Sequence, residues 1–308
     1  MNSLIFFGSD QYSTIVLNNL LSSSIVLVVT DRPKPKGKDH LIEPNPVEKL
    51  AIKHHLKITY YPDNLEEMSK FITSLPTTKI VGLCASFDHL LPPPLITFFK
   101  GNLFNLHPSL LPQYRNVSPV QYAIALGDKE TGITLFRITS GIDNGEIIGQ
   151  VTEPILPTDT TPTLTSRLFF LGSQLFISYL SDHAGSHPAQ PTSPLIFTKR
   201  LSRDSGFLEW NTLYKLLLNK PIAPTETTNE LLQLRLQKHL SGDTPTTILS
   251  DLIRALTPWP SVWSTLKTSK GELRLSVLID PDSPSNFLLH LAGKPQAITL
   301  QDFTKYYL

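Results

Sequence analysis

An amide, an imidazole and a carboxylate stand at the ends of apolar, strand-like runs in the segment from Asn105 to Gly145. Asn105 could donate a hydrogen bond to an oxygen that becomes negative during a reaction, which in a dry, preorganised site is often the largest catalytic contribution. Imidazole groups gain and lose a proton near neutral pH, so His107 could move protons. Asp143 could orient that imidazole or accept a proton through a water. These residue types predict acyl transfer to an amine.

A covalent intermediate is not indicated by the residues around these three. No Ser, Cys or Lys lies where a nucleophile would be needed, so direct transfer between two bound substrates is the simpler mechanism. The single cysteine, Cys84, lies in an apolar run, and we expect a buried, unreactive thiol there. One cysteine excludes a disulfide within these 308 residues and is typical of a protein from a reducing compartment.

The elements that would hold these residues alternate between strand-like and helix-like segments over the first two-thirds of the chain. Apolar or β-branched runs predict strands at 4–8, 25–30, 58–61, 80–85 and 103–106, and near 133–138 and 147–151. The segments between and after them predict helices at 12–21, 47–54, 65–75, 95–99, 118–126 and 163–180. This alternation predicts an α/β fold with a mostly parallel, Rossmann-like sheet and helices on both faces.

The position of the polar residues within this predicted sheet indicates a ligand site. Asn105 and His107 lie at the carboxyl end of a predicted strand, which is where open α/β sheets bind their ligands. The first turn after a strand, Gly8–Gln11, lacks the Gly-x-Gly-x-x-Gly pattern of dinucleotide binding. A hydride-transferring oxidoreductase is therefore a distant alternative.

The last third of the chain predicts a second domain. Residues 183–194 are rich in polar and helix-breaking residues and predict an interdomain linker. Short strands at 262–266, 273–278, 287–291 and 297–300 predict a small closed or partly closed barrel. The expected division is a catalytic domain at 1–182, a linker at 183–198 and a C-terminal domain at 199–308.

The run from Asn105 to Pro112 is similar to the Asn-x-His-x-Ser-Leu-Leu-Pro signature of the folate-dependent formyltransferases, and Asp143-x-Gly145 resembles their second catalytic element. Further likeness, to the members of that family that formylate methionyl-tRNA, lies in Phe6–Ser9, Val28–Pro33, Gly37-Lys38, Pro46-Val47, Lys199–Asp204, Trp210, Arg254–Leu256 and Pro258–Pro260. The resemblance spans almost the whole chain. It implies an OB-like barrel for the C-terminal domain, which binds tRNA.

The resemblance also implies substrates and site residues. The formyl donor would be 10-formyltetrahydrofolate, the acceptor would be the amine of initiator methionyl-tRNA, and no metal would be needed. The catalytic residues would be Asn105, His107 and Asp143. The residues around the folate would be Phe87, Asp88, Ser109, Leu110, Leu111 and Pro112. The tRNA and its methionyl group would meet Tyr12, Arg32, Lys34, Lys36, Lys38, Lys199, Arg200 and Arg203.

Charge alone gives a weaker indication of a nucleic-acid partner. The net charge of the chain is +1, which does not predict nucleic-acid binding. Residues 32–38 nevertheless carry Arg32, Lys34, Lys36 and Lys38 between Pro and Gly, and such a loop can approach phosphates. The run at the N-terminus is too short for a signal peptide, and no run approaches the ~20 apolar residues of a membrane span. We expect a cytoplasmic monomer without membrane contact.

Two features depart from the family pattern and keep alternatives open. The interval from Trp210 to Arg254 is long and predicts a helical insertion near 213–245, with a helix at 230–240. Pro108 and Asn116 stand where the family often has Gly, and Pro108 resembles the glycinamide ribonucleotide formyltransferases. An N-formyltransferase acting on an amino sugar nucleotide, or a tRNA-binding relative without catalysis, remains an alternative.

Overall fold

The computed structural model describes residues 3–36, 41–61, 70, 74, 80–182, 190, 196–238, 240–268, 271–283 and 285–307. The chain divides into two compact units. Unit 1 comprises Met1–Asn116, Thr131–Glu153 and Thr165–Phe197, and unit 2 comprises Val117–Glu130, Pro154–Leu164 and Thr198–Leu308. The division into 1–182, 183–198 and 199–308 stays a proposal, and 183–189 and 191–195 lie outside the described residues.

Unit 1 is built on a seven-stranded sheet. Its strands are β1 (Ser3–Phe7), β2 (Ile25–Asp31), β5 (Ile58–Tyr61), β6 (Ile80–Ala85), β7 (Leu103–His107), β8 (Glu130–Arg137) and β9 (Ile147–Pro154). The strand order is β5-β2-β1-β6-β7-β8-β9. The pairs from β5 to β7 are parallel, and β8 runs antiparallel to β7. This is the mostly parallel, Rossmann-like sheet that the sequence predicts.

The central strands are apolar on both faces because helices cover the sheet. Ile5, Phe7 and Val29 are fully buried in the core between the strands and their covering helices. Strands buried on both faces read as continuous apolar runs rather than as alternating ones, which made them visible in the sequence. The chain runs outward from β1 to β2 and β5, then returns to place β6 on the other side of β1. The carboxyl ends of β1 and β6 therefore flank a topological switch point, where α/β sheets bind ligands.

Among the described residues, the helices of unit 1 are α1 (Gln11–Asn19), α2 (Pro46–Lys53), α3 (Pro93–Phe98) and most of α5 (Thr161–Asp182). The carboxylate of Asp10 caps α1 by accepting hydrogen bonds from the backbone N–H of Tyr12 and Ser13. The side chain of Asn45 caps α2 through the N–H of Glu48. The predicted helix at 65–75 lies outside the described residues except for Lys70 and Ser74.

A short hairpin follows β2 in unit 1. It consists of β3 (Lys34–Lys36) and β4 (Leu41–Glu43), which pair antiparallel with Lys34 opposite Glu43. The side chain of Lys36 and residues 37–40 lie outside the described residues. Within the basic loop expected at 32–38, Lys34–Lys36 therefore form one arm of a hairpin.

Unit 2 combines helices with a four-stranded antiparallel sheet. Its helices are α4 (Pro119–Ala125), α6 (Trp210–Leu217), α7 (Glu230–Lys238), α8 (Pro245–Leu256) and α9 (Leu300–Tyr307). Its strands are β10 (Val262–Thr268), β11 (Gly271–Ile279), β12 (Phe287–Leu291) and β13 (Ala297–Thr299), paired in that order. The sheet is consistent with the predicted OB-like domain.

The interval between Trp210 and Arg254 holds more helix than the sequence indicated. Three helices, α6, α7 and most of α8, occupy it, where one was predicted at 230–240. A buried ion network ties two of them together. The guanidinium of Arg235 donates to the carboxylates of Asp243 at 2.5 and 2.7 Å and of Asp251 at 3.1 Å. Arg254 in α8 donates to Asp251 at 2.5 Å.

Candidate active site

The candidate site lies in unit 1 at the carboxyl ends of the central strands. The loop after β1 and the loop after β6 are joined there, since the hydroxyl of Ser86 donates to Asp10 at 2.6 Å and that of Ser13 donates to the carbonyl of Ala85 at 2.7 Å. Asn105 and His107 lie at the end of β7, and Asn105 is in register with Cys84 on β6. The topology thus brings the predicted residues to the edge where a ligand binds.

His107 is held between a backbone carbonyl and a carboxylate. Its side chain is 6% exposed, with Nδ1 3.5 Å from Oδ2 of Asp143. Its Nε2 lies 2.8 Å from the carbonyl oxygen of Tyr114, which can only accept, so Nε2 carries a proton in this arrangement. Nδ1 is therefore the nitrogen that can take up or release a proton, and it faces the carboxylate.

The carboxylate of Asp143 is fixed by a hydrogen-bond donor from another loop. The backbone N–H of Asn116 donates to Oδ2 of Asp143 at 2.8 Å. No described residue makes a hydrogen bond to Oδ1 of Asp143, whose side chain is 16% exposed. One carboxylate oxygen is thus committed to structure and to His107, and the other is open to a ligand or a water.

Asn105 offers an unused amide beside this pair. Its side chain is partly buried, and it makes no hydrogen bond with any residue that the structure describes. Asn105 and His107 are two residues apart on one strand, so their side chains project from the same face of the sheet. An amide that is held on a strand and not engaged by the protein is a suitable donor to a developing oxyanion.

The backbone around the site adopts an unusual number of left-handed conformations. Positive φ angles occur at Ser86 (48°), Tyr114 (58°), Asn116 (81°), Ser118 (66°) and Asp143 (46°). Non-glycine residues reach this region at a cost in free energy, and such positions gather at functional sites. The left-handed φ of Asn116 also explains the departure from the family pattern, because Asn tolerates a conformation in which Gly is favoured.

The predicted folate loop is anchored mainly through Ser109 and Leu111. Ser109 is fully buried and its hydroxyl donates to the carbonyl of Gln113 at 2.6 Å. The hydroxyl of Thr134 donates to the carbonyl of Ser109 at 2.6 Å and accepts from the N–H of Leu111 at 3.1 Å. Gln150 donates to the carbonyl of Leu111 at 2.9 Å. The polar groups of Ser109 therefore hold the loop in place, and Leu110 and Pro112 are its more accessible members.

The second predicted folate wall is an aromatic cluster. The ring of Phe87 lies 5.8 Å from that of Phe7, 5.4 Å from that of Tyr61 and 4.9 Å from that of His89. Phe87 therefore packs on the core, while Asp88 is exposed. Nε2 of His89 lies 2.5 Å from Asp31 at the end of β2, a contact that the sequence did not indicate.

The predicted tRNA and methionyl residues of unit 1 differ in exposure and in their neighbours. Lys34 is 73% exposed and lies 3.7 Å from Asp31. The guanidinium of Arg32 lies over the ring of Tyr60 at 5.3 Å. The ring of Tyr12 stacks on that of Phe169 at 6.1 Å, and burial raises the pKa of the Tyr12 hydroxyl. Lys38 and the side chain of Lys36 lie outside the described residues.

The remaining predicted tRNA residues belong to unit 2. Lys199 pairs with Glu230 at 2.6 Å, and this hydrogen bond raises the pKa of Lys199. Arg200 is exposed. The guanidinium of Arg203 lies over the ring of Trp263 at 5.7 Å, and the carbonyl of Arg203 accepts from the indole N–H at 2.9 Å. Lys199 and Arg203, at the two ends of this basic segment, are thus oriented by neighbours within unit 2.

Sequence reasoning missed the residues that hold the site together. Tyr114 and Asn116 act through backbone groups, which no residue pattern reports. Gln190 lies in the segment predicted as a linker, yet its amide contacts Arg115, Asp143 and Gly145. Among the described residues, no group of three or more His, Cys, Asp or Glu could hold a metal ion, and no helix is long and apolar enough to cross a membrane.

Comparison with known sequences gives consistent matches. Residues 3–180 match the formyl transferase family. Methionyl-tRNA formyltransferase from Listeria monocytogenes serovar 1/2a is 29% identical over 271 residues, covering 87% of this chain and 76% of the relative. Methionyl-tRNA formyltransferase from Buchnera aphidicola subsp. Schizaphis graminum is 33% identical over 222 residues, covering 70% of each chain.

Solved structures share the fold over nearly the whole chain. An N-formyltransferase from Helicobacter canadensis, in complex with folinic acid and dTDP-3-aminofucose, has a TM-score of 0.56 at 18% identity and covers 94% of this chain and 96% of its own. WlaRD, a sugar 3N-formyl transferase, has a TM-score of 0.57 at 19% identity and covers 96% and 99%. At such identities the likeness shows the fold.

Proposed function

The chain belongs to the formyl transferase family, and on that premise we propose that it transfers the formyl group of 10-formyltetrahydrofolate to the amino group of initiator methionyl-tRNA. The acceptor is suggested by the curated relatives, which are methionyl-tRNA formyltransferases. The observation that carries the chemistry is the pairing of His107 with Asp143 at 3.5 Å beside the unengaged amide of Asn105. Translation initiation is the process that such a product serves. A monomeric state and a cytoplasmic location remain predictions.

The reaction requires the methionyl amine to add to the formyl carbon. A bond forms from the amine nitrogen to that carbon, and the formyl oxygen becomes negative in a tetrahedral intermediate. The bond from the carbon to N10 of the folate then breaks, and a proton from the attacking nitrogen is delivered to N10. The bond formed, the bond broken and the proton transferred account for the whole reaction, so it needs no external oxidant or metal. The protein has to bind both partners, stabilise the oxyanion and move one proton.

Asn105 and His107 are assigned to the oxyanion. The amide of Asn105 has no partner among the described residues, so donating to the oxygen breaks no bond within the protein. The second donor would be the Nδ1–H of a protonated His107, because Nε2 is engaged by the carbonyl of Tyr114 and the 3.5 Å from Nδ1 to Asp143 is longer than an ordinary hydrogen bond. Loss of one donor of this kind costs about 3–4 kcal/mol of transition-state stabilisation.

Asp143 is assigned to the proton. Its Oδ1 is open among the described residues, while the N–H of Asn116 fixes Oδ2 at 2.8 Å. A carboxylate with one fixed and one open oxygen can accept the proton of the attacking amine, directly or through a water, and pass it to the departing folate nitrogen. The contacts from Asn116 and Gln190 fix Asp143, whose φ of 46° is strained, in this position.

The folate and tRNA contacts follow from position. The loop of Ser109, Leu110, Leu111 and Pro112, with Phe87 and Asp88 after β6, would flank the folate. For the tRNA we propose the basic arm at 32–38 and, in unit 2, Lys199, Arg200 and Arg203, which would contact phosphates without reading sequence. Tyr12 would meet the methionyl side chain.

The test is transfer of labelled formyl from 10-formyltetrahydrofolate to initiator methionyl-tRNA, with elongator methionyl-tRNA and dTDP-3-aminofucose as parallel acceptors. We expect product with the initiator and a fall in kcat of about 10²- to 10³-fold in Asn105→Ala. The exposed Asn18→Ala variant, on α1, serves as the control. Formylation of the sugar nucleotide but of neither tRNA would contradict the proposed acceptor, and unchanged transfer in Asn105→Ala would contradict the site.

A further inference from the structure

Two strained loop segments meet at the candidate site, and each must keep a fixed position relative to the other. One is Tyr114–Asn116, which supplies the carbonyl to His107 and the N–H to Asp143. The other is Asp143–Gly145, whose first residue carries the carboxylate. Tyr114, Asn116 and Asp143 all have positive φ. Strained backbone persists only where its surroundings fix it, so these two segments need additional contacts.

Gln190 supplies such contacts to both segments at once. Its Oε1 accepts from Nε and Nη2 of Arg115 at 3.2 and 2.6 Å. Its Nε2 donates to the carbonyl of Asp143 at 2.9 Å and to the carbonyl of Gly145 at 2.7 Å. One side chain therefore accepts from the first segment and donates to the second.

The amide group is specifically suited to this arrangement. A carboxylate in its place would still accept from Arg115 but could not donate, and its oxygen would face two carbonyl oxygens. An apolar side chain of similar length would lose all four hydrogen bonds. The chain also pairs Arg115 with Phe197 in a parallel bridge, so the segment after Gln190 returns to the same loop.

The consequence falls on the distance between Asp143 and His107. The N–H of Asn116 holds the carboxylate of Asp143 at 2.8 Å, and Gln190 holds the guanidinium of Arg115 on one side of that contact and the main-chain carbonyls of Asp143 and Gly145 on the other. We propose that Gln190 is a positioning residue for formyl transfer, which keeps the Asp143 carboxylate facing His107. This inference rests on the proposed function, because it assigns Gln190 a role in that reaction. The segment predicted as a linker thus contributes to the site.

The experiment compares Gln190→Glu with Gln190→Met and measures kcat, KM and backbone exchange. In Gln190→Glu we expect kcat to fall about 10- to 100-fold, since small displacements of reacting groups cost that much. KM for the folate and for methionyl-tRNA should change less than threefold, because the amide of Gln190 is engaged by Arg115, Asp143 and Gly145 rather than being open to a substrate. Gln190→Met should lose at least as much. Gln301→Glu, an exposed change of the same kind on α9, should leave kcat unchanged.

Hydrogen–deuterium exchange separates positioning from a general loss of folding. Amides of 139–147 should exchange faster in Gln190→Glu, while those of β1 and β6 and the thermal midpoint stay as in the parent protein. Unchanged exchange with unchanged kcat would overturn the proposal. Equal losses in kcat, in β1 protection and in thermal midpoint would reduce Gln190 to a structural tie and overturn it too.

The activity of the parent protein tests the proposed function independently of the Gln190 variants. If the parent protein formylates neither tRNA, the proposed function fails, whatever the exchange data show. If the parent protein is active and Gln190→Glu retains its full kcat despite faster exchange at 139–147, the function stands and the positioning role of Gln190 is wrong.

Discussion

At the scale of single residues, the two carboxylate oxygens of Asp143 in the candidate site have different surroundings. Oδ2 of Asp143 accepts from the N–H of Asn116 and lies near Nδ1 of His107, while Oδ1 has no partner among the described residues. The first oxygen sets geometry and the second is free for chemistry. A substitution that keeps shape but removes charge tests this division directly.

Asp143→Asn keeps the size of the side chain and an oxygen that can accept from Asn116. It removes the negative charge beside His107 and the proton acceptor on Oδ1, so we expect kcat for formyl transfer to fall about 10²- to 10⁴-fold. KM should change little, and the thermal midpoint should stay close to that of the parent. Steady-state kinetics with both substrates varied is the measurement.

Asp282→Asn, an exposed change in the loop after β11, provides the matched control for charge removal and should keep full activity. Retention of more than a third of the parent kcat in Asp143→Asn would remove Asp143 from the proton path. An equal fall in both variants would instead indicate a general effect of charge.

The candidate catalytic residues Asn105, His107 and Asp143 could be proposed from the sequence because their chemistry would be carried by side chains. An amide, an imidazole and a carboxylate at strand ends are visible as letters in the sequence, and parallel strands bring such ends to one edge. Tyr114, Asn116 and Gln190 were not predictable. Two of them act through the backbone at left-handed φ, and Gln190 stands in a segment whose composition resembles any polar linker.

At the scale of elements, the apolar strands of the large sheet and the predicted helices that the structure describes lie within three residues of their expected bounds, whereas the helices α6, α8 and α9 of unit 2 were not predicted. The strand at 58–61 was predicted with its observed bounds, and that at 103–106 gained one residue. Helix α3 begins at Pro93 rather than 95, because Pro suits the first helical turn. Helix α9 was missed, since its residues follow a strand directly and only Phe303 is buried.

The turn between β8 and β9 is the element on which Asp143 depends. A Cβ at Gly145 would lie 1.7 Å from the carbonyl oxygen of Arg137, which is backbone and cannot rotate away. Gly145→Ala must therefore displace the turn. We expect a loss of about 1–3 kcal/mol in unfolding free energy. The proportion of kcat that is lost should exceed the proportion of the unfolding free energy that is lost, because the position of Asp143 depends on this turn. Urea unfolding and kinetics of the same preparation measure both.

Gly149→Ala, on β9, is the control for that substitution. Its Cβ would lie 3.0 Å from Cδ1 of Leu175, the end of a flexible side chain. We expect a neutral or slightly stabilising effect, because Ala restricts the unfolded chain more than Gly does. Equal effects at both positions would show that the turn tolerates displacement and that Asp143 is held by other contacts.

At the scale of the whole molecule, each unit carries its own chemical reporter. The single cysteine, Cys84, lies on β6 in unit 1, and all three tryptophans (Trp210, Trp259 and Trp263) lie in unit 2. Thiol labelling therefore follows unit 1, and tryptophan fluorescence follows unit 2. Separate reporters allow a substitution in one unit to be followed without a signal from the other.

Burial raises the pKa of the Cys84 thiol, so it stays protonated and unreactive in the folded protein. We expect no labelling by a disulfide reagent at pH 8 under native conditions and one thiol per chain in concentrated urea. The unfolded chain ionises this thiol more readily, so the contribution of Cys84 to stability is present at neutral pH and is lost as pH rises past the usual pKa of a thiol. Rapid native labelling would show that the sheet opens at β6.

Unit 2 depends on a charge that is almost completely removed from water. The side chain of Arg235 is 1% exposed, and it donates to both Asp243 and Asp251. Arg235→Met removes the cation and leaves two carboxylates without it, which for buried pairs costs about 3–5 kcal/mol. We expect the urea midpoint of tryptophan fluorescence to fall accordingly. Lys215→Met, which removes an exposed partner of Glu226, should shift that midpoint little, since exposed pairs contribute little. Equal small shifts in both variants would mean that Asp243 and Asp251 become hydrated when Arg235 is lost, because the helices α7 and α8 open locally. An unchanged rate of Cys84 labelling in urea would then show that this opening is limited to unit 2.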